Sequence, residues 1–189
     1  NTVSAKVSGP VRGVEGDLWA DVVLGKLDFC TNATHRPTKY GAAFPGGVLI
    51  DKTVKPNRMF IADCNNNRIL GFKSTSPTDG ADIVLGQPDF ESGGGNGDSC
   101  AQRFPYRDKS SASTLCLTLP TQISMGETVV VVNMALDDQG NLYVPDIFNN
   151  RVLKYNDPFG TDTVADEVWG QADFTGNESN RGNASPTND

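Results

Sequence analysis

The residues best equipped for chemistry come in pairs. Asp63 precedes Arg68 by five positions, and Asp146 precedes Arg151 by the same interval. A carboxylate beside a guanidinium could serve as an anchored base or as a clamp for an anionic substrate. The surrounding residues argue for a different role. The first pair lies in Ala62-Asp-Cys-Asn-Asn-Asn-Arg-Ile-Leu-Gly-Phe72, the second in Pro145-Asp-Ile-Phe-Asn-Asn-Arg-Val-Leu-Lys-Tyr155. A residue that recurs at one repeat position serves the repeat, so Asp63, Arg68, Asp146 and Arg151 are read as structural. Asp137-Asp138 is a paired-carboxylate candidate, yet Asp-Asp-Gln-Gly-Asn141 is ordinary turn chemistry. The Gly-rich stretch Gly93–Gly97 lies in a polar insert rather than between a strand and a helix, which rules out a phosphate loop. A single histidine, His35, and the absence of Cys-x-x-Cys exclude a zinc site. Calcium could use loop carboxylates and carbonyls, although the spaced aspartates of a calcium loop are missing. With no nucleophile elbow and no Ser-His-Asp set, the expectation is a protein that is not an enzyme, without metal or cofactor.

The elements that position these residues are written into a second motif, which occurs three times. It reads Ala20-Asp-Val-Val-Leu-Gly-Lys-Leu-Asp-Phe29, Ala81-Asp-Ile-Val-Leu-Gly-Gln-Pro-Asp-Phe90 and Ala165-Asp-Glu-Val-Trp-Gly-Gln-Ala-Asp-Phe174. From Asp63 to Asp82 is 19 positions and from Asp146 to Asp166 is 20, so the two motifs keep step as one unit. Short β-branched runs separated by Gly, Pro, Asn and Asp predict four antiparallel strands per unit. In the first unit they are Val48–Ile50, Met59–Ala62, Arg68–Phe72 and a strand within 81–90. In the second they are Thr128–Leu136, Leu142–Val144, Arg151–Tyr155 and one within 164–174. Large apolar residues at successive positions predict that both faces of each sheet are covered. The chain thus divides into an N-terminal arm (1–19), an orphan strand (20–29), a unit (46–90), a flexible insert (91–119), a second unit (120–174) and a polar tail (175–189). The fold class is all-β.

Charge and cysteines bound the setting. Sixteen basic and 23 acidic residues give a net charge of −7, a poor match to nucleic acid or an anionic membrane. The longest apolar run, Val129–Val132, is far short of a membrane span. The first residue is Asn1, with no initiator Met or apolar leader, as in a processed secreted protein or an excised fragment. Three sequons, at Asn32, Asn177 and Asn183, and an even count of four cysteines favour secretion, with N-linked glycans and disulfides. Cys100 and Cys116 share the insert and form the first expected bridge. Cys30 and Cys64 form the second, since in a four-stranded meander their connector and turn emerge on one side.

Together the two motifs resemble the NHL-repeat β-propellers, particularly the secreted bacterial-type repeats. The match rests on Gly140-Asn-Leu-Tyr-Val-Pro-Asp146, Asn149-Asn-Arg-Val-Leu153, Asn66-Asn-Arg-Ile-Leu70 and Val84-Leu-Gly-Gln-Pro-Asp-Phe90, and spans about residues 20–174. Pro145, Cys64 and the long second connector depart from the pattern. The resemblance implies that each unit is one four-stranded blade of a propeller that closes around a channel. Some members are metal-dependent lyases with several His ligands, which this chain does not supply. Others bind RNA through a basic face, which its charge disfavours. Two blades cannot close a ring, so exposed edges need covering. The expected function is therefore extracellular self-association into a homo-oligomer, such as three copies forming six blades, or into a fibre. The alternative is a fragment of a larger propeller that binds a ligand or acts as a lyase. Binding to a cell-surface glycan or protein is a third reading.

Overall fold

The computed structural model describes residues 20–26, 28–30, 36–95, 110–118, 131–183 and 185. Two four-stranded antiparallel sheets make up the fold, each a meander in chain order. Sheet I comprises β1 (Pro45–Asp51), β2 (Arg58–Asp63), β3 (Arg68–Phe72) and β4 (Ile83–Leu85). Sheet II comprises β5 (Ala135–Leu136), β6 (Leu142–Asp146), β7 (Arg151–Tyr155) and β8 (Glu167–Trp169). Among the described residues there is no α-helix, and no helix is long and apolar enough to cross a membrane. The all-β expectation holds; β1 runs longer than the expected Val48–Ile50, while the fourth strands β4 and β8 are three residues each. The described residues of the expected strand 20–29 form no ladder; Gly25 makes an isolated parallel bridge to Gly41. Of the expected Thr128–Leu136 strand, residues 128–130 lie outside the described residues, and among 131–136 Ala135–Leu136 pairs with β6. Upstream, Val132 donates its amide across to the Gly46 carbonyl of sheet I and is itself buried.

Register explains which faces meet. Side chains alternate along a strand, and the pairings Phe60–Gly71–Ile83 and Ala62–Ile69–Leu85 put these residues on one face of sheet I. That face packs against Leu142, Val144, Leu153 and Tyr155 of sheet II in one core. Burying each Leu or Val there contributes roughly 1.5–3 kcal/mol. Gly71 makes room: a Cβ on it would lie 3.0 Å from Phe159 Cζ and 2.6 Å from Ile83 Cγ1. Phe159 in turn stacks on Phe60 with centroids 5.3 Å apart, and Arg58 bonds Asp157 at 2.9 Å beside it.

The other face of sheet I (Met59, Ile61, Leu70, Phe72, Val84, with Ile50 beside Met59) forms a second cluster, with Leu24 and Phe90 packed against it. Sheet II differs. Its β6 and β7 alternate buried with half-buried residues, so its outer face is open, contrary to the expectation of covered faces on both units. The insert also departs from expectation. Its residues 110–118 are docked, with Leu115, Cys116 and Leu117 at most 1% exposed, because Leu115 and Leu117 enter the core between the sheets.

Candidate functional site

Asp63 and Arg68 meet across the turn between β2 and β3, both with fully buried side chains, at 2.7 Å. Arg68 Nε donates to Asp63 Oδ2, one terminal nitrogen to the Phe90 carbonyl, and the other to the carbonyls of Thr38 and Gly41 at 2.9 Å. Asp63 also accepts from the Ala43 amide at 2.7 Å and from Asn66 Nδ2 at 2.8 Å. Arg151 and Asp146 repeat this arrangement bond for bond. Arg151 donates to Asp146, Phe174, Ser111 and Thr114, while Asp146 accepts from the Cys116 amide and Asn149. Every guanidinium nitrogen is thus committed to a structural acceptor, with no solvent-facing atom left to meet a substrate. Each hub ties three segments together: the turn, the stretch after the fourth strand, and the connector before the first.

The twice-repeated parts of the second motif have equally local roles. Ala81 and Ala165 hook their amides onto the connector carbonyls of Lys39 and Ala112. Asp82 and Asp166 accept from the amides of Lys73 and Asn156, just past the third strands. Asn67 and Asn150 close their turns in left-handed backbone, φ 50° and 53°. Gln87 and Gln171 lock those turns, donating to the carbonyls of Asn67 and Asn150 at 3.0 Å each. The first copy of the motif has Lys26 in the glutamine's place, and no Asn-Asn turn precedes it in the sequence.

The hubs set up a correspondence between the two units. Ala43 and Cys116 make the same bond to Asp63 and Asp146, so Phe44 corresponds to Leu117. Within the chain, Asn67 Oδ1 accepts the amides of Leu117 at 2.8 Å and Thr118 at 3.0 Å, fastening the second connector to the first sheet. The corresponding Asn150 donates to the Asn177 carbonyl, but its Oδ1 accepts nothing among the described residues.

The remaining sequence-predicted sites fall out as follows. Asn177 is buried, and its Nδ2, the atom a glycan would occupy, donates to Ser110 Oγ at 3.2 Å. A glycan there and this packing exclude each other, so Asn177 leaves the set of accessible sequons, and the supposed tail begins with docked chain. Asn183 is exposed; Asn32 and His35 lie outside the described residues. Cys116 is disulfide-bonded, and Cys100, its expected partner, also lies outside them. The expected Cys30–Cys64 bridge is not made: both are thiols, Cys30 exposed and Cys64 buried. The physical reason is that the Cys64 side chain turns into the core, its Sγ 3.8 Å from the Ala62 carbonyl. Burial pushes the Cys64 thiol up to about 11.

Asp137 is a turn residue, bonded to the amides of Gln139 and Asn141 and to the Tyr143 hydroxyl. Among the described residues no cluster of three or more His, Cys, Asp or Glu is placed to hold a metal ion. In comparisons with known proteins, no family model matches the chain and no curated protein is significantly similar to it.

Proposed function

We propose that the two sheets are blades of an NHL-type propeller and that the chain works by assembly, not catalysis. The carrying observation is the pair of hubs. The residues with the most reactive chemistry spend all of it internally, in two identical frameworks, while apolar side chains at both ends of the two-sheet stack remain exposed. Phe44 is 67% exposed and Trp169 49%, whereas their counterparts Leu117 and Leu85 are 0%. Buried counterparts of exposed apolar residues mark surfaces that a neighbouring unit covers. In this reading the protein is extracellular, carries N-linked glycans at Asn32 and Asn183, uses no metal, and has other copies of itself as partners. Light scattering of the native protein across a concentration series tests it. Growth beyond one chain is expected, and a single 20.2 kDa species at all concentrations sinks it.

A second reading is that neighbouring blades belong to one longer polypeptide, with ligand binding or lyase chemistry at its channel. One observation favours it: residues 20–26 lie on sheet I as β4 lies on the second connector. A Cβ on Gly25 would meet Ala42 at 2.9 Å, and one on Gly86 would meet Leu115 at 2.5 Å, at corresponding positions. Intact mass of native material separates the readings, since a longer polypeptide exceeds the sequence mass plus glycans.

A further inference from the structure

The two ends of the stack carry the complementary halves of one contact. At the head, Phe44 is exposed and its amide has no acceptor among the described residues, whereas the amide of the corresponding Leu117 donates to Asn67 Oδ1. At the tail, Asn150 Oδ1, the counterpart of that acceptor, has no donor among the described residues. The apolar half divides in the same way. Ile147 is 38% exposed where its counterpart Cys64 is 1%, and Trp169 stands where Leu85 is buried between the sheets. An unused donor, an unused acceptor and three uncovered apolar side chains (Phe44, Ile147 and Trp169) sit at positions that inside the chain form a finished interface. The occupant that fits is therefore the head of a second copy.

One segment stands in the way. Leu24, at the position of Leu85 and Trp169 in the repeated motif, covers the outer face of sheet I at the head. Along this segment the Gly25 carbonyl accepts the Ala42 amide at a long 3.4 Å, and Val22 is 48% exposed. Beside it runs a cavity of about 180 Å³ lined by Leu24, Tyr40, Ile61, Leu70 and Phe72.

We propose that copies join head to tail by exchange: Phe44 of one copy docks against Asn150 and Ile147 of the next, whose β8, led by Trp169, takes the place that residues 20–26 fill. This rests on the assembly reading above and names its surfaces. The contact is heterologous, so it propagates or closes a ring instead of stopping at a dimer. Residues 20–26 then act as a plug that sets how readily assembly starts.

Sedimentation velocity on the full chain tests the proposal with Phe44→Asp at the head and Trp169→Asp at the tail. Both sites are exposed, and Asp tolerates the left-handed backbone at Phe44 (φ 54°); unchanged circular dichroism confirms the fold. Each variant alone is expected to associate on the order of 10-fold or more weakly than the parent, as for the loss of an aromatic anchor. Mixed in equal amounts, they retain one intact head and one intact tail, so they give a species of two chains and nothing larger. Leu24→Asp, which loosens the plug, is expected to associate more strongly than the parent. If the parent associates but both variants do so equally well, or the mixture gives no pair, the exchange contact is wrong while assembly stands. If the parent and Leu24→Asp are both monomeric throughout, assembly itself is wrong.

Discussion

Replacing Arg68 by Met keeps an unbranched apolar stem and removes the guanidinium fork. Four hydrogen bonds disappear: one to Asp63, and one each to the carbonyls of Phe90, Thr38 and Gly41. Asp63 stays buried with the Ala43 amide and Asn66 but loses its counter-charge, a change that costs about 3–5 kcal/mol in buried pairs. Three carbonyls lose their donor, and each left unsatisfied adds about 1–3 kcal/mol. Total stabilities of about 5–15 kcal/mol leave little after such a loss, so the first unit should be unfolded or nearly so at 25 °C. Urea titration followed by far-ultraviolet circular dichroism measures it. Arg151→Met should behave alike, since it removes the same bonds from the second hub. Lys154→Met, which breaks the exposed pair with Glu167, should leave the midpoint where it was. A loss below about 1 kcal/mol for Arg68→Met would refute the idea that the hub holds the unit together.

Other consequences follow from single groups. Tyr155 is wholly buried and its hydroxyl has no partner among the described residues, so Tyr155→Phe, which matches Phe72 in the first unit, should stabilise the chain by up to about 1–3 kcal/mol in the same titration. Native alkylation should label Cys30 quickly and Cys64 only after unfolding, read by peptide mapping; rapid labelling of Cys64 would contradict its burial. Burial works against ionisation of Asp137, but the side chain and amide of Asn141, the Tyr143 hydroxyl and the Gln139 amide prevail and hold its carboxyl at about 2 against the usual 3.8. The folded pKa is the lower one, so this stabilisation is present above about 3.8 and lost as pH falls toward 2. Asp137→Asn should flatten that part of the acid-unfolding profile, and an unchanged profile would remove Asp137 from the account.

Much of the framework was legible because its chemistry demands the same residue at the same place twice. An acid and an arginine flanking an Asn-Asn turn can be matched by eye, and their pairing across the turn follows from spacing alone. The glutamines that lock the turns were written in the sequence too, but their partners lie some twenty residues upstream, beyond any local pattern. Residues 110–118 were hidden because their role is to be the counterpart of 37–45, and the two stretches have no identical residue at corresponding positions. Thr128–Leu136 is expected as one strand, yet Val132 bonds the Gly46 carbonyl of sheet I and Ala135–Leu136 pairs with β6, a choice made by packing. The Asn177 sequon and the Cys30–Cys64 pairing failed for one reason. Both were read from surface logic, and both Asn177 and Cys64 lie inside, where position in the fold overrides the motif.

Hydrogen exchange at one amide tests the central claim most directly. In dilute protein the Phe44 amide should exchange quickly while that of Leu117, bonded to Asn67, is protected. As concentration rises, Phe44 should become protected and residues 20–26 should exchange faster, since the same event covers one and releases the other. Association that leaves Phe44 and residues 20–26 unchanged would contradict the account.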